Sequence, residues 1–252
     1  MKENRQQQIV KLITERDTLS MQQICSEFHI SINTARSDVA HLVNSGVVEK
    51  IYGGIRLKKQ EAVPLYEKRM QQNAAIKARL AEAAAAEIQD GDTVYIDAGT
   101  TMMHLLDFLS TDKKITVITA SLPVIEQASR MPNIRLAVLP GFYDARTNAL
   151  LDSSTIEALR RFQLTKAFIG TSSLTDTGSM GVSNFAEYEE KRAAISAAKT
   201  KYFVADASKY GKLGLLSFAT LADNDVFITS SDIPADLVKL CKDRGVHLIR
   251  VP

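Results

Sequence analysis

The chain is poor in the features that announce several protein classes. Among its 252 residues there are only two cysteines, Cys25 and Cys241, far apart and inside helix-like segments. They form neither a disulfide pattern nor metal-ligand spacing, which predicts a reducing compartment. No apolar run approaches the ~18 residues of a membrane-spanning helix. The polar start Met1-Lys-Glu-Asn-Arg has no hydrophobic region, so no secretory signal and no membrane partner are expected. A cytoplasmic protein is the expectation. No repeat or low-complexity segment occurs, and there is no nucleophile elbow, metal motif or nucleotide loop. The four histidines, His29, His41, His104 and His247, do not cluster. No catalytic residue, metal or cofactor is therefore expected. Charge of one sign is scarce too, the net being +2. What remains, 45% apolar and 24% charged residues, is a soluble globular composition. The length suits two domains at ~100–200 residues each.

The small net charge is unevenly placed. Residues 1–60 hold nine Lys/Arg against six Asp/Glu, and the remainder is slightly acidic. An anionic partner docking on the first quarter would favour that distribution. Ile9, Leu12 and Ile13 mark a first helix that starts near residue 3 and ends before Asp17. Ser20, with Gln23 three residues on, has capping-box spacing and opens a second helix with Ile24, Cys25 and Phe28 inward. Ser31 caps a third, in which Ala35, Val39, Leu42 and Val43 share a face and Gly46 supplies the stop. Two β-rich runs then flank Gly53-Gly54, the pattern of a hairpin with a glycine turn. This order predicts a winged helix-turn-helix over 1–58, with the helix-turn-helix at about 20–39 and the wing at 47–57. In the third helix Ser31, Asn33, Thr34, Arg36 and Ser37 should face away from the core. There they can reach base edges and phosphates in a DNA major groove. Ser20 and the wing residues Lys50, Tyr52 and Arg56 are candidates for neighbouring contacts. A small helical unit that merely displays polar residues to water competes with this reading. The combined order, wing and local charge favour double-stranded DNA.

Residues 59–73 are polar, contain Pro64 and read as a linker. From 74 to 252 helix-like and strand-like segments alternate. Strands are expected at 93–97, 115–119, 134–139, 166–170, 201–206, 225–229 and 246–250. Helices are expected at 74–88, 101–109, 121–130, 153–162, 186–199 and 234–244. Strands joined through helices predict an α/β fold with a mainly parallel sheet covered on both faces. Ligands of such sheets bind beyond the carboxyl ends of the strands. Asp97-Ala-Gly-Thr-Thr101 stands there, where Gly99 allows close approach and Thr100 and Thr101 offer hydroxyls beside a helix start. Thr119-Ala-Ser-Leu, with Ser121, and Gly170-Thr-Ser, with Thr171, occupy similar places. Together they favour an anion pocket over three ordinary capped turns. Glu187 and Lys191 lie one helical turn apart, and an exposed i,i+4 pair is a fair competitor to a ligand role. Asp206 and Lys209 add a carboxylate and an amine after a further strand.

Residues 30–54, Ile-Ser-Ile-Asn-Thr-Ala-Arg-Ser-Asp-Val through Tyr-Gly-Gly, resemble the DeoR family of bacterial transcriptional repressors. The similarity continues through Asp97-Ala-Gly-Thr-Thr101, Thr119-Ala-Ser-Leu122, Pro140-Gly141, Gly170-Thr-Ser172, Glu187 with Lys191, and Asp206-Ala-Ser-Lys-Tyr-Gly211. It spans nearly the whole chain in order. Two departures stand out. Ser37 replaces the second Arg of the family's Arg-Arg-Asp, and Ala120 replaces its usual Asn. The resemblance implies a second domain similar to ribose-phosphate isomerase and glucosamine-phosphate deaminase folds. It also implies a role as sensor of a phosphorylated sugar. Because one helix reads only a few base pairs, a homodimer or homotetramer joined through this second domain is expected. Gly99, Thr100, Thr101 and Ser121 would then hold phosphate with Lys209 nearby, while Asp97 and Glu187 orient hydroxyls. Gly141, Gly170, Thr171, Lys191 and Asp206 complete that expected effector site. The rival expectation is a sugar-phosphate isomerase or deaminase with a DNA-binding appendage, using Asp97, Glu187, Asp206 and Lys209 for acid–base chemistry.

Overall fold

The computed structural model of the chain describes residues 2–44, 48–57, 66–222 and 225–252. Helix α1 (Lys2–Arg16) is followed by β1 (Thr18–Ser20), α2 (Met21–Phe28), α3 (Ile32–Asn44), β2 (Val48–Ile51) and β3 (Gly54–Leu57). The capping box expected at Ser20 is formed: Gln23 N donates to Ser20 Oγ at 3.1 Å, and Ser20 N donates to Gln23 Oε1 at 2.8 Å. Helix α2 stops at His29, which takes the left-handed conformation. Ile9, Ile13, Leu19, Ile24, Ala35, Val39, Leu42, Val48 and Ile55 are buried together, so the periodic apolar positions do form one core. Asp38 joins them as a fully buried carboxylate that accepts from Arg5 Nε at 2.6 Å and Gln6 Nε2 at 3.2 Å. It ties α1 to α3.

The wing differs from expectation by one residue. Its turn is Tyr52-Gly53, with Ile51 paired to Gly54, and Gly53 supplies the positive φ of 80°. Gly54 serves another purpose. Strand β1 pairs with β3 and sets Ser20 opposite Gly54, so a Cβ there would collide with the Leu19 carbonyl. The wing is thus a three-stranded sheet in the order β1-β3-β2. Gly46 and Val47, expected as helix stop and wing start, and Pro64 of the expected linker lie outside the described residues.

Helix α4 (Tyr66–Gln71) occupies the second half of the stretch that reads as linker. The linker reading fails there because a single buried aromatic is enough to dock a short helix: Tyr66 is buried, and its hydroxyl contacts Met103 Sδ at 3.1 Å. Then follow α5 (Ala74–Ala86), β4 (Thr93–Ile96), a 3-10 helix (Met102–Phe108), β5 (Ile115–Thr119), α6 (Leu122–Ala128) and β6 (Ile134–Val138). After the small hairpin β7 (Tyr143–Asp144) and β8 (Ala149–Leu150) come α7 (Ser153–Leu159) and β9 (Leu164–Gly170). Strands β10 (Ser173–Leu174) and β11 (Ser179–Val182), helix α8 (Phe185–Ala197) and β12 (Ala198–Ala205) are next. Strand β13 (Leu216–Thr220), β14 (Val226–Ser230), α9 (Ala235–Asp243) and β15 (His247–Val251) complete the chain.

Seven strands form one parallel sheet in the order β15-β14-β12-β9-β4-β5-β6. Its central strands are buried on both faces, with Val94, Ile96, Val117 and Phe168 among the side chains of one core and Tyr95, Ile118, Ile169 and Phe203 of the other. The chain adds β5 and β6 on one side of β4, then returns to add β9, β12, β14 and β15 on the other. The β4/β9 boundary is therefore the switch point of the sheet, where a crevice opens at the carboxyl ends of the strands. Strands β10, β11 and β13 make a separate antiparallel sheet that the alternating pattern did not predict.

Candidate functional site

Two faces concern function. On α3, Ser31, Asn33, Arg36 and Ser37 are exposed and Thr34 is half-buried. Ser31 and Thr34 hydroxyls bond each other at 2.9 Å, and Thr34 N donates to Ser31 Oγ at 3.2 Å, so both are engaged in capping. The Ser20 hydroxyl is likewise occupied by its cap. On the wing Tyr52 stands fully exposed at the tip and Lys50 is exposed, whereas the Arg56 guanidinium is held by Glu49 at 2.5 Å. Asn33, Arg36, Ser37, Lys50 and Tyr52 are the candidates whose side chains bond to nothing else among the described residues. Together with the N-terminus of α3 they suit a DNA groove.

A cavity of about 540 Å³ lies at the switch point, at the carboxyl ends of β4, β9 and β12. Ten of the twelve expected effector residues line it: Asp97, Gly99, Thr100, Thr101, Gly170, Thr171, Glu187, Lys191, Asp206 and Lys209. Asp97 is buried and bridges the crevice, its Oδ2 accepting from Gly170 N at 2.8 Å and from Lys191 Nζ. That contact decides the Glu187–Lys191 question. Lys191 is 4% exposed and pairs with Asp97, so the exposed i,i+4 pair is excluded. Burial pushes the Glu187 carboxyl above its usual range. Among the described residues the Thr100 and Thr101 hydroxyls have no hydrogen-bond partner in the protein, and a Cβ at Gly99 would meet no protein atom. Thr171 is different: its hydroxyl is engaged with the Ser173 and Gly181 carbonyls at 2.7 and 3.1 Å. The segment after Thr101 is a seven-residue 3-10 helix, so the dipole expected of an α-helix there is weak.

Two expected residues do not line the cavity. Ser121 is buried beyond β5, where Thr119 donates its hydroxyl to Ile96 O at 2.7 Å and accepts from Ser121 N at 3.1 Å. That turn is built into the backbone. Gly141 takes φ 149° and packs so tightly that a Cβ would stand 2.6 Å from Thr155 Oγ1. Its role is close packing.

Several lining residues escaped sequence reasoning, above all Arg69 on α4, Gln72 just after it, Lys77 on α5, and Lys212. Lys77 donates to Arg69 O, Arg69 Nη2 donates to Arg146 O at 2.5 Å, and Asn73 Nδ2 donates to Asp206 Oδ1 at 3.3 Å. Burial, together with the charges of Lys209 and Arg69, lowers Lys77 to about 8, against a partial pull from Asp206. Burial also lowers Lys209. Among the described residues none of Arg69, Lys77, Lys209 and Lys212 is within ion-pair distance of a carboxylate. Arg69 Nε and Asp206 Oδ2 are buried without a hydrogen-bond partner. Four cations thus line the cavity together with the carboxylates Asp206 and Glu187. That lining suits a ligand that carries both an anionic group and hydroxyls.

Residues 5–61 match the family model of the DeoR-like helix-turn-helix domain, and residues 72–231 match that of the DeoR C terminal sensor domain. The chain is similar to the HTH-type transcriptional regulator IolR of Bacillus subtilis (strain 168), 33% identical over 250 residues that make up 98% of this chain and 100% of that one. It is similar to the Glycerol-3-phosphate regulon repressor of Escherichia coli (strain K12), 22% identical over 240 residues, 95% of each chain. Among solved structures, ribose 5-phosphate isomerase A from Methanocaldococcus jannaschii aligns over 55% of each chain, with a TM-score of 0.42 and 16% identity.

Proposed function

The chain belongs to the DeoR family of transcriptional regulators, and from that premise we propose that it represses a sugar or polyol catabolic operon. A phosphorylated sugar or polyol in the switch-point cavity controls its hold on the operator. The observation that carries the effector class is the group of cations lining the cavity, Arg69, Lys77, Lys209 and Lys212, none within ion-pair distance of a carboxylate among the described residues. Like charges gathered there repel until an anion joins them, and a phosphate can accept from several at once. The Thr100 and Thr101 hydroxyls add neutral donors. Asp206 Oδ2 and Glu187 are left for sugar hydroxyls, because carboxylates repel phosphate but accept from O–H groups. The relative named for a glycerol-3-phosphate regulon is itself a repressor, which supports the same reading. A turnover enzyme is disfavoured: the relatives are named as regulators, and Asp97, the best-placed acid–base candidate, is held by Lys191 and the Gly170 amide.

On the operator, α3 enters the major groove, with Asn33, Arg36 and Ser37 reading bases and Lys50 and Tyr52 following the backbone. One helix covers few base pairs, so a homodimer or homotetramer joined through the sensor domain presents paired half-sites. Operator binding with and without a panel of phosphorylated sugars tests the reading, alongside light scattering for the oligomer. A fitting ligand at 100 times its Kd stabilises the protein by ~2.7 kcal/mol. Thr100→Asp abolishes the response while operator affinity stays near the parent value. Arg36→Ala loses ~1–3 kcal/mol of operator affinity and keeps the ligand response. A Thr100→Asp protein responding at the parent concentration moves the effector elsewhere.

A further inference from the structure

Beneath the cavity, α8 carries a glutamate that the reading above does not use. Glu190 is 2% exposed, and its Oε1 has no hydrogen-bond partner. Its neighbours are Glu187 and Lys191 on the same helix, Tyr95 on β4 and Asp97 just after it. Lys191, the one cation facing it among the described residues, is already committed to Asp97 and lies 5.6 Å from the Phe218 ring centroid. The fully buried Tyr95 hydroxyl faces both carboxyls, at 3.5 Å from Asp97 Oδ1. The buried Glu190 and Asp97 therefore share the Lys191 ammonium, while Glu187, which lines the cavity, also feels Arg69. An ionised carboxylate left unpaired in such a site is strongly disfavoured, and the group keeps its proton instead.

The other elements packed on α8 do not change this balance. Strands β11 and β13 carry no titratable side chain. On β9 there is Lys166, which is paired with Asp92 at 2.6 Å. On β12, Lys201 pairs with Asp225 at 3.2 Å, the Tyr202 hydroxyl donates to Glu87 at 3.2 Å, and Lys199 is exposed. On α7, Glu157 is exposed.

We propose that Glu190 is a positioning residue of the cavity: a neutral carboxylic acid that makes no claim on the Tyr95 hydroxyl or the Lys191 ammonium, so that both stay on Asp97. Loss of that proton reverses the arrangement. An ionised Glu190 competes with Asp97 for the Tyr95 hydroxyl and for the Lys191 ammonium, and loosens the wall. Burial first, and then the Asp97 charge, push Glu190 up to about 8, with Lys191 and Tyr95 opposing. The change therefore falls above the usual carboxylate range. This inference concerns the wall and holds whatever the cavity binds.

The test needs no ligand and uses the full chain. An unfolded glutamate releases its proton near ~4.3, whereas the folded Glu190 holds it to about 8. Between those values the native state carries one proton more than the unfolded state, so Glu190 lowers stability as pH rises. Glu190→Gln removes that loss. Relative to the parent, its folding constant rises at least tenfold between about pH 5 and about pH 8, because each unit of separation is worth a factor of ten. Infrared spectroscopy reads the proton itself. At about pH 7 the parent shows a protonated-carboxyl carbonyl band that Glu190→Gln lacks and that Glu187→Gln, which stands in if Glu190→Gln does not fold, retains. A parent without the band overturns the proposal. So does a band lost from Glu187→Gln, or a stability difference that does not change with pH.

Discussion

A buried lysine–aspartate pair stands at each end of β4, Asp92 with Lys166 of β9 and Asp97 with Lys191 of α8, and the two pairs have different surroundings. At the amino end Lys166 on β9 donates to Asp92 at 2.6 Å and to Glu87 O at 2.8 Å. Asp92 also accepts from Gln89 N at 2.7 Å and from Thr165 Oγ1 at 2.8 Å. Burial alone would raise Asp92, but these donors more than offset it and hold the carboxyl below its usual range. Every strong donor and acceptor is matched, and nothing is left for a ligand. At the carboxyl end Asp97 and Lys191 make an equally buried pair, but around it stand Arg69 Nε, Asp206 Oδ2 and Glu190 Oε1 without partners. Buried polar groups in native proteins are normally satisfied. The end that breaks this rule is the end with the cavity. A closed network holds strands together, whereas an open one is prepared for something else.

Breaking the closed end should cost the most. Lys166→Ala leaves Asp92 buried without its cation and destabilises by on the order of 3 kcal/mol in urea unfolding. Its ligand response, once ligand is saturating, stays intact. The part of this stability owed to Asp92 is present at neutral pH and is lost as pH falls through the lowered folded value. Thr165→Val removes one donor to Asp92 and the acceptor for Thr93 N, for ~1–2 kcal/mol in the same assay. The open end should behave oppositely. Asp206→Asn keeps an acceptor for Ser208 N and Asn73, so stability moves by within ~0.5 kcal/mol while effector control of operator binding is lost. An Asp206→Asn protein destabilised as much as Lys166→Ala would show that both ends are structural. The last effect is read as a slope against pH. Folded Lys77 gives up its proton near about 8, before the unfolded side chain does at ~10.4. Over that interval the unfolded state binds more protons, so stability rises with pH in the parent and not in Lys77→Met.

Much of the site was legible because its residue types are concentrated in short turns. Asp97, Gly99, Thr100 and Thr101 fall after an apolar β-rich run, and the position after such a run is where open parallel sheets bind ligands. Ser121 satisfies the same local rule and fails, since its hydroxyl is buried away from the cavity and the turn after β5 is held by Thr119, which bonds Ile96 O and Ser121 N. Nothing near Ser121 in sequence announces that. Arg69 and Lys77 were missed for the converse reason. They belong to a polar stretch and an alanine-rich helix, and only docking of Tyr66 beside Met103 brings them to the cavity. In the DNA-binding unit the periodic apolar residues and the capping box were sufficient for the helices. The third wing strand was not visible, because three residues paired at long range carry no periodicity of their own.

By itself the sequence determined the two-part organisation, the helix-turn-helix, the alternation of strands and helices and the chemistry of the strand-end turns. These follow from periodicity, caps and glycine positions, which act over a few residues. Tertiary structure alone decided that β9 returns beside β4, and hence that Asp97 meets Gly170 and Lys191. It also decided which polar groups were matched and which were left open. Strand order and burial are properties of the whole sheet, settled by how apolar faces a hundred residues apart cover one another, and no local pattern encodes them.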